Sequence, residues 1–137
     1  MTKEMWLNFP VRDLGKTKEF FSRIGFSLNE QHTSGEMACF SVGEKKMTVA
    51  FFAEETFRNF TKSEISDASK GAEVLISFDA ESREEVDETA RKVFEAGGAI
   101  FSVPAEIQGW MYGCSFADLD GHRWNVLYMD SSKMPKA

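Results

Sequence analysis

One stretch near the end of the chain constrains the fold more than any other, because residues 116–128 read as a strand, a tight turn and a second strand. The turn, residues 118–121, is Asp-Leu-Asp-Gly, in which aspartate bonds the local backbone and glycine accepts a positive φ. After the turn, side chains alternate between an apolar and a mixed face. The apolar set is Trp124, Val126 and Tyr128, and the mixed set is Arg123, Asn125 and Leu127.

Two earlier segments, residues 5–11 and 73–78, show the same alternation. Their apolar sets are Leu7, Phe9, Val11 and Val74, Ile76, Phe78, and their mixed sets are Trp6, Asn8, Pro10 and Glu73, Leu75, Ser77. Three such strands predict a sheet covered by helices on one side, with a partly polar concavity on the other as the functional site. Six apolar side chains should be buried beneath the helices. They are Leu7, Phe9, Val74, Ile76, Trp124 and Val126.

Two segments carry a helical stripe of apolar residues between start and stop signals. Asp13 can cap a helix over residues 14–24, and Gly25 follows it as a stop residue. Residues 82–85, Ser-Arg-Glu-Glu, fit a capping box for a second helix over residues 83–96. The spacing therefore predicts one helix after each of the two early strands.

The order of elements repeats along the chain. After the first helix, residues 26–30, 36–42 and 47–52 read as strands. After the second helix there are again three predicted strands: residues 99–103, which Pro104 ends, residues 110–117, and the final strand. Residues 53–71 read as a linker that packs locally around Phe57 and Phe60. We therefore predict an α+β fold of two βαβββ repeats, about residues 5–52 and 72–129, in one domain of residues 1–137.

Composition narrows the function classes. The formal net charge of −6 makes nucleic acid a poor partner. The first residues lead into a strand without a long apolar run, so we expect neither a signal peptide nor a membrane partner. Cys39 and Cys114 lie in strand-like segments and are expected to be buried thiols of a cytoplasmic protein.

The chain resembles the vicinal oxygen chelate superfamily, which includes glyoxalase, bleomycin-resistance proteins and extradiol dioxygenases. The resemblance is carried by Leu7-x-x-Pro10-Val11-x-Asp13-Leu14, Phe20-Phe21, Gly25-Phe26, Ala96-Gly97-Gly98 and Phe116-x-Asp118-x-Asp120-Gly121-His122-x-Trp124. It implies a curved, cup-like mixed sheet with helices on the outer face. It also implies a homodimer in which halves of the fold pair edge to edge.

The resemblance also locates where enzymes of this superfamily hold a metal. These positions are Trp6, seven residues before the helix-capping Asp13, then Glu73 at the start of the second half, and Asn125, seven residues after Asp118. Only Glu73 is a good ligand, since indole does not coordinate and a neutral amide is a weak donor. We therefore predict no metal site and no cofactor.

Three functions remain open from the sequence. The first is a binding protein of the bleomycin-resistance type that holds a small molecule in the cup without a metal. Its predicted ligand-binding residues are Trp6, Asn8, Glu73, Ser77 and Asn125, a set able to stack on and pair with a cationic aromatic compound. The second is an enzyme, a lyase, isomerase or dioxygenase, with Glu73 as metal ligand or catalytic general base. The third is a protein with a vestigial pocket.

Overall fold

The computed structural model describes residues 1–135, and the chain divides into two compact units, Met1–Asp67 and a second that begins at Ala68. The first contains β1 (Leu7–Val11), α1 (Leu14–Arg23), β2 (Ser27–Leu28), a 3₁₀ turn (Glu30–His32), β3 (Met37–Val42), β4 (Met47–Ala53) and α2 (Glu54–Thr61). The second contains β5 (Leu75–Asp79), α3 (Arg83–Glu95), β6 (Ala99–Ile107), β7 (Met111–Ala117), β8 (Arg123–Met129) and a 3₁₀ turn (Ser131–Lys133).

Each unit folds its four strands into one mixed sheet with the same strand order. The orders are β1-β4-β3-β2 and β5-β8-β7-β6. β1 runs parallel to β4, and β5 runs parallel to β8. The remaining neighbours are antiparallel. The α+β class and the two βαβββ repeats are thus confirmed. The assignment of residues 1–137 to a single domain stays a prediction, and residues 136 and 137 lie outside the described part.

Side-chain caps start both major helices where the sequence indicates. The Asp13 carboxylate accepts the backbone N–H of Lys16 at 3.0 Å, and the Ser82 hydroxyl accepts that of Glu85 at 3.1 Å. The second half of the capping box is displaced by one residue, because the Glu85 carboxylate accepts from the backbone of Glu81 at 3.4 Å. Each cap satisfies an N–H that has no partner within its helix.

A cluster of aromatic rings forms the core of the first unit. Phe21 on α1 stacks on Phe51 of β4 with ring centroids 4.5 Å apart, and Phe40 of β3 meets both rings. All three side chains are buried. Because α1 packs on β2, β3 and β4, this cluster fixes the helix to one side of its sheet.

The second unit has an equivalent core under α3. Val86 and Val93 on the buried stripe of the helix face the sheet, which presents Phe116 and Trp124 with stacked rings 6.4 Å apart. Val126 is buried beside them. The apolar face assigned to β8 is therefore the face under the helix.

Burial of the six expected core residues is confirmed only in part. Trp124 and Val126 are buried, and Phe9 and Ile76 are half-buried. The prediction is wrong for Leu7 and Val74, which are 37% and 49% exposed. β1 and β5 are edge strands, and α1 and α3 pack mainly on the other three strands of their sheets. The edge strands therefore lack a helical cover over their first residues.

Several element boundaries also differ from the sequence prediction. The strand expected from residue 73 begins at Leu75, which leaves Glu73 in a bend. The strand expected over residues 26–30 is only Ser27–Leu28, followed by a 3₁₀ turn. Residues 53–71 contain helix α2, whose Phe60 ring packs against Phe52 of β4 at 5.6 Å. Within residues 1–135, no helix is long and apolar enough to cross a membrane.

Pro104 does not end β6, which continues to Ile107. The strand lies at the edge of its sheet, where a residue without an N–H loses no necessary ladder bond. Its pairing with β7 also shifts register between Ile100 and Ser102 and again between Ser102 and Ala105. Such bulges interrupt the ladder locally and accommodate the proline.

The core assignment predicts unequal effects for two identical substitutions in the second unit. Phe116→Ala should lower the free energy of unfolding by about 3–5 kcal/mol, because it removes a completely buried ring and leaves a cavity. Phe94→Ala on α3, whose side chain is 72% exposed, should change it by about 0.5 kcal/mol or less. Urea unfolding measures both values, and equal losses would contradict the assigned core.

Candidate functional site

The mixed side chains of β8 lie on the side of the second sheet opposite α3, which we call the distal face. Arg123, Asn125 and Leu127 alternate along β8 with the buried Trp124 and Val126, so they point away from the helix. Strand pairing sets the neighbours of these three residues. They are Leu75, Ser77 and Asp79 on β5, and Ala117, Ser115 and Gly113 on β7.

A row of hydrogen-bonding side chains crosses the middle of the distal face. The Ser115 hydroxyl donates to the side-chain oxygen of Asn125 at 2.5 Å, and the Asn125 amide nitrogen donates to the Ser77 hydroxyl at 3.4 Å. Ser102 on β6 pairs with Ser115 and extends the row to the fourth strand. These four residues, Ser77, Asn125, Ser115 and Ser102, are the polar row, in which the Ser115 and Ser77 hydroxyls hold the Asn125 amide in one orientation.

The structure thus brings together two of the predicted ligand-binding residues, Ser77 and Asn125. Sequence reasoning missed Ser115, which lies between Asn125 and Ser102. The hairpin pattern could have identified it, because a turn over residues 118–122 pairs Ala117 with Arg123 and therefore Ser115 with Asn125. The Ser102 position could not be found this way, since the bulges of β6 change its register.

The other predicted site residues are not assembled in the second sheet. Trp6 and Asn8 belong to the first unit, where Trp6 precedes β1 and is 54% exposed and Asn8 is exposed on β1. Glu73 is exposed in the bend before β5, two residues before the ladder begins. Roles for Trp6, Asn8 and Glu73 therefore stay predictions.

A cation lies at one end of the distal face. The Arg123 guanidinium is placed over the Phe101 ring with 4.3 Å between its central carbon and the ring centroid. Phe101 is the extra residue that the β6 bulge inserts between Ile100 and Ser102. Bulges re-aim side chains relative to a regular ladder, and this one sets an aromatic surface under the arginine.

The opposite end of the distal face is mainly apolar, with Asp79 of β5 beside Leu127. Leu127 lies directly against the backbone of Gly113, and a Cβ at Gly113 would overlap the Leu127 side chain and come within 2.7 Å of the Val126 carbonyl oxygen. A glycine is therefore required opposite Leu127. The neighbouring residues in this register are Met111, Met129 and Ile107.

The turn between β7 and β8 is organised by the buried carboxylate of Asp118. One oxygen accepts the backbone N–H groups of Asp120 and His122, both at 3.0 Å, and the other accepts the Trp124 indole N–H at 3.0 Å. Burial raises the pKa of Asp118, while the positive charge of His122 and these hydrogen bonds act in the opposite direction. The carboxylate thus ties the turn to the core ring of β8.

Comparison with known proteins shows which sequences and structures this chain is similar to. A family model described as bleomycin resistance protein-like N-terminal matches residues 3–43. A hypothetical protein from S. aureus, SA1046, shares 36% identity over 93% of this chain and 94% of its own, with a TM-score of 0.82. No curated protein sequence matches the chain.

More distant structures share the fold. A glyoxalase/bleomycin resistance protein/dioxygenase family enzyme from Burkholderia phytofirmans is 22% identical, with 90% and 96% of the two chains covered and a TM-score of 0.77. The fosfomycin resistance protein FosX from Listeria monocytogenes, solved with Mn(II) and sulfate, is 18% identical, with 97% and 94% covered and a TM-score of 0.71. The chain therefore has the glyoxalase/bleomycin resistance fold.

The residues of this chain do not fit the metal that the superfamily implies. At the three expected positions stand Trp6, Glu73 and Asn125, and the Asn125 amide is already held by two serine hydroxyls. Among the residues the structure describes, no three His, Cys, Asp or Glu side chains cluster in a way that could hold a metal ion. A transition-metal site needs about three such donors.

The Asp118 arrangement predicts a coupled effect of two substitutions. Asp118→Asn should lower the free energy of unfolding by about 1–3 kcal/mol, because an amide cannot accept from both the backbone and the Trp124 indole. In a Trp124→Phe background, where the indole donor is gone, the same change should cost about 1 kcal/mol less. Chemical denaturation of the four proteins measures this coupling, and an identical cost in both backgrounds would contradict it.

The two thiols should be unreactive in the folded protein. Burial raises the pKa of Cys114 to about 11, with a further contribution from Asp87, and burial also raises the pKa of Cys39. Because thiolate forms only as the pH approaches the pKa, roughly one Cys114 in a thousand is ionised at pH 8. Mass spectrometry after iodoacetamide treatment should show no modification until denaturant is added, and rapid native modification would contradict the burial.

Proposed function

We propose that this protein binds a small organic molecule without a resident metal, through hydrogen-bonding groups on the distal face. The observation that carries the proposal is the fixed Asn125 amide. It stands where enzymes of the superfamily have a metal ligand, yet its oxygen and nitrogen are both engaged by serines of the polar row. An oriented amide flanked by hydroxyls suits recognition of a polar ligand group more than coordination of a cation.

The remaining site predictions are part of the proposal. On the first unit, Trp6 offers an aromatic surface and Asn8 a polar contact, and on the second unit Glu73 offers a further polar contact. The exposed apolar residues of the edge strands, among them Leu7 and Leu75, support a homodimer in which edges of the sheets are covered. Two free buried cysteines support a cytoplasmic location.

Catalysis through Glu73 is the competing hypothesis. A general base or metal ligand that works on a bound substrate is usually enclosed and oriented by its neighbours. Glu73 is exposed and makes no hydrogen bond or ion pair within residues 1–135. These features favour a binding protein, and the experiment below separates the two functions.

A thermal-shift screen on metal-depleted protein tests the proposal. A library of small acids, bases and neutral aromatic compounds should contain ligands that raise the melting temperature, because binding to the native state alone stabilises it. Asn125→Leu should abolish the shift for these ligands. Asn59→Leu, the same change on the exposed surface of α2, should leave it unchanged.

The metal arm of the experiment uses the same protein. Added Mn²⁺, Zn²⁺ or Ni²⁺ should not raise the melting temperature, since a single carboxylate and a neutral amide hold such ions weakly. Elemental analysis should find far less than one transition metal per chain. A stoichiometric metal that is lost in Glu73→Gln would overturn the proposal and favour the enzyme.

A further inference from the structure

We infer that the distal face of the second sheet selects an amphipathic organic anion, with its charged group at Arg123 and its apolar part at Leu127. This inference rests on the proposed function and names the chemical class of its ligand. It rests on three surfaces that follow one another along β8. They are the Arg123 cation over Phe101, the polar row, and the apolar residues around Leu127.

The cationic end has an arginine whose hydrogen-bonding edge is available. The central carbon of the Arg123 guanidinium lies over the Phe101 ring, 4.3 Å from its centroid, and a guanidinium in contact with a ring face can still bind a carboxylate or sulfonate through its N–H groups. Within residues 1–135, Arg123 makes no ion pair with an acidic side chain. The ring below limits the movement of the guanidinium and reduces the entropy that anion binding costs.

Asp79, the acidic residue that strand pairing places on this face, lies at the end away from Arg123. Asp79 pairs with Leu127, two rows further along the sheet than Arg123. Two rows of alternate residues span roughly 13 Å along a strand, which exceeds the screening length of about 8 Å at physiological salt. Glu73 lies outside the ladder, in the exposed bend before β5.

The middle and the apolar end suit the rest of such a ligand. The Ser77 hydroxyl accepts the last hydrogen bond of the polar row on one side, Ser102 is the last residue of the row on the other side, and both residues are exposed. They lie about 7 Å along the strands from the Arg123 row. Beyond them, the Leu127 side chain lies against the backbone of Gly113. Met111 and Met129 provide flexible apolar surface.

This order distinguishes the anion from the cationic ligand that the sequence suggested. That expectation depended on Glu73 as the acid of the site. On the distal face, Arg123 lies one row from the polar row on one side, and Asp79 lies one row from it on the other. At the Arg123 end a cationic group would be repelled, while an anionic group would be attracted.

Two fluorescent probes of the same shape test the inference. The first, 8-anilinonaphthalene-1-sulfonate, is an anion, and the second, N-phenyl-1-naphthylamine, is its uncharged counterpart. The folded protein should bind the sulfonate more tightly. Arg123→Gln should weaken the sulfonate by about tenfold or more, the effect of losing a hydrogen bond between charged groups, and leave the uncharged probe unchanged.

Two further variants locate the effect. Arg91→Gln removes an arginine from the exposed surface of α3, on the other side of the sheet, and should alter neither probe. Leu127→Ser should weaken both probes to a similar degree, because both use the apolar end. Circular dichroism on each variant separates loss of binding from loss of folding.

Salt dependence provides a test that needs no variant. Raising the ionic strength should weaken the sulfonate probe and not the uncharged one, since screening acts only on the charged contact. Equal binding of the two probes, unaffected by Arg123→Gln and by salt, would overturn the anion inference while leaving a metal-free binding function intact. The proposed function itself fails only if the ligand library also produces no thermal shift.

Discussion

The buried Asp118 carboxylate is the interaction on which the second unit depends. By accepting two backbone N–H groups of its own turn and the Trp124 indole N–H, it joins the hairpin to the core under α3. This fixes Ala117 opposite Arg123, and a slip by one residue would send every side chain of β8 to the wrong face. Burial raises the pKa of Asp118, because removing a charged carboxylate from water is unfavourable. The second unit therefore holds its strand register with a group that is unfavourable to bury.

Once the register is set, a single strand serves both the core and the candidate site. Trp124 and Val126 are buried against the helix side, while Arg123, Asn125 and Leu127 lie on the distal face. Stability and binding chemistry therefore occupy alternate residues of β8. Because the two sets point to opposite sides, a substitution at Asn125 can alter recognition without opening a cavity in the core.

Much of the fold could be predicted from the sequence because its local signals agree with its long-range order. The caps at Asp13 and Ser82, the helical stripes and the alternation of β8 are local, and all are present in the structure. The exposure of Leu7 depends on which strands become edges, and the passage of β6 through Pro104 depends on bulges. Neither is encoded within a few residues. In the candidate site, Ser77 and Asn125 could be paired by alternation, whereas the contact of Arg123 with Phe101 required the register shift of β6.

The neutral amide of Asn125 determines the chemistry at the middle of the distal face. A carboxylate there would carry charge into a row of serines and favour a cation, whereas the neutral amide is satisfied by Ser115 and Ser77 within the sheet. The charged residues nearest to this amide in the register are Arg123, one row away on one side, and Asp79, one row away on the other. The neutral amide therefore makes hydrogen bonding within the sheet, and not a charge, the chemistry of the middle of the face.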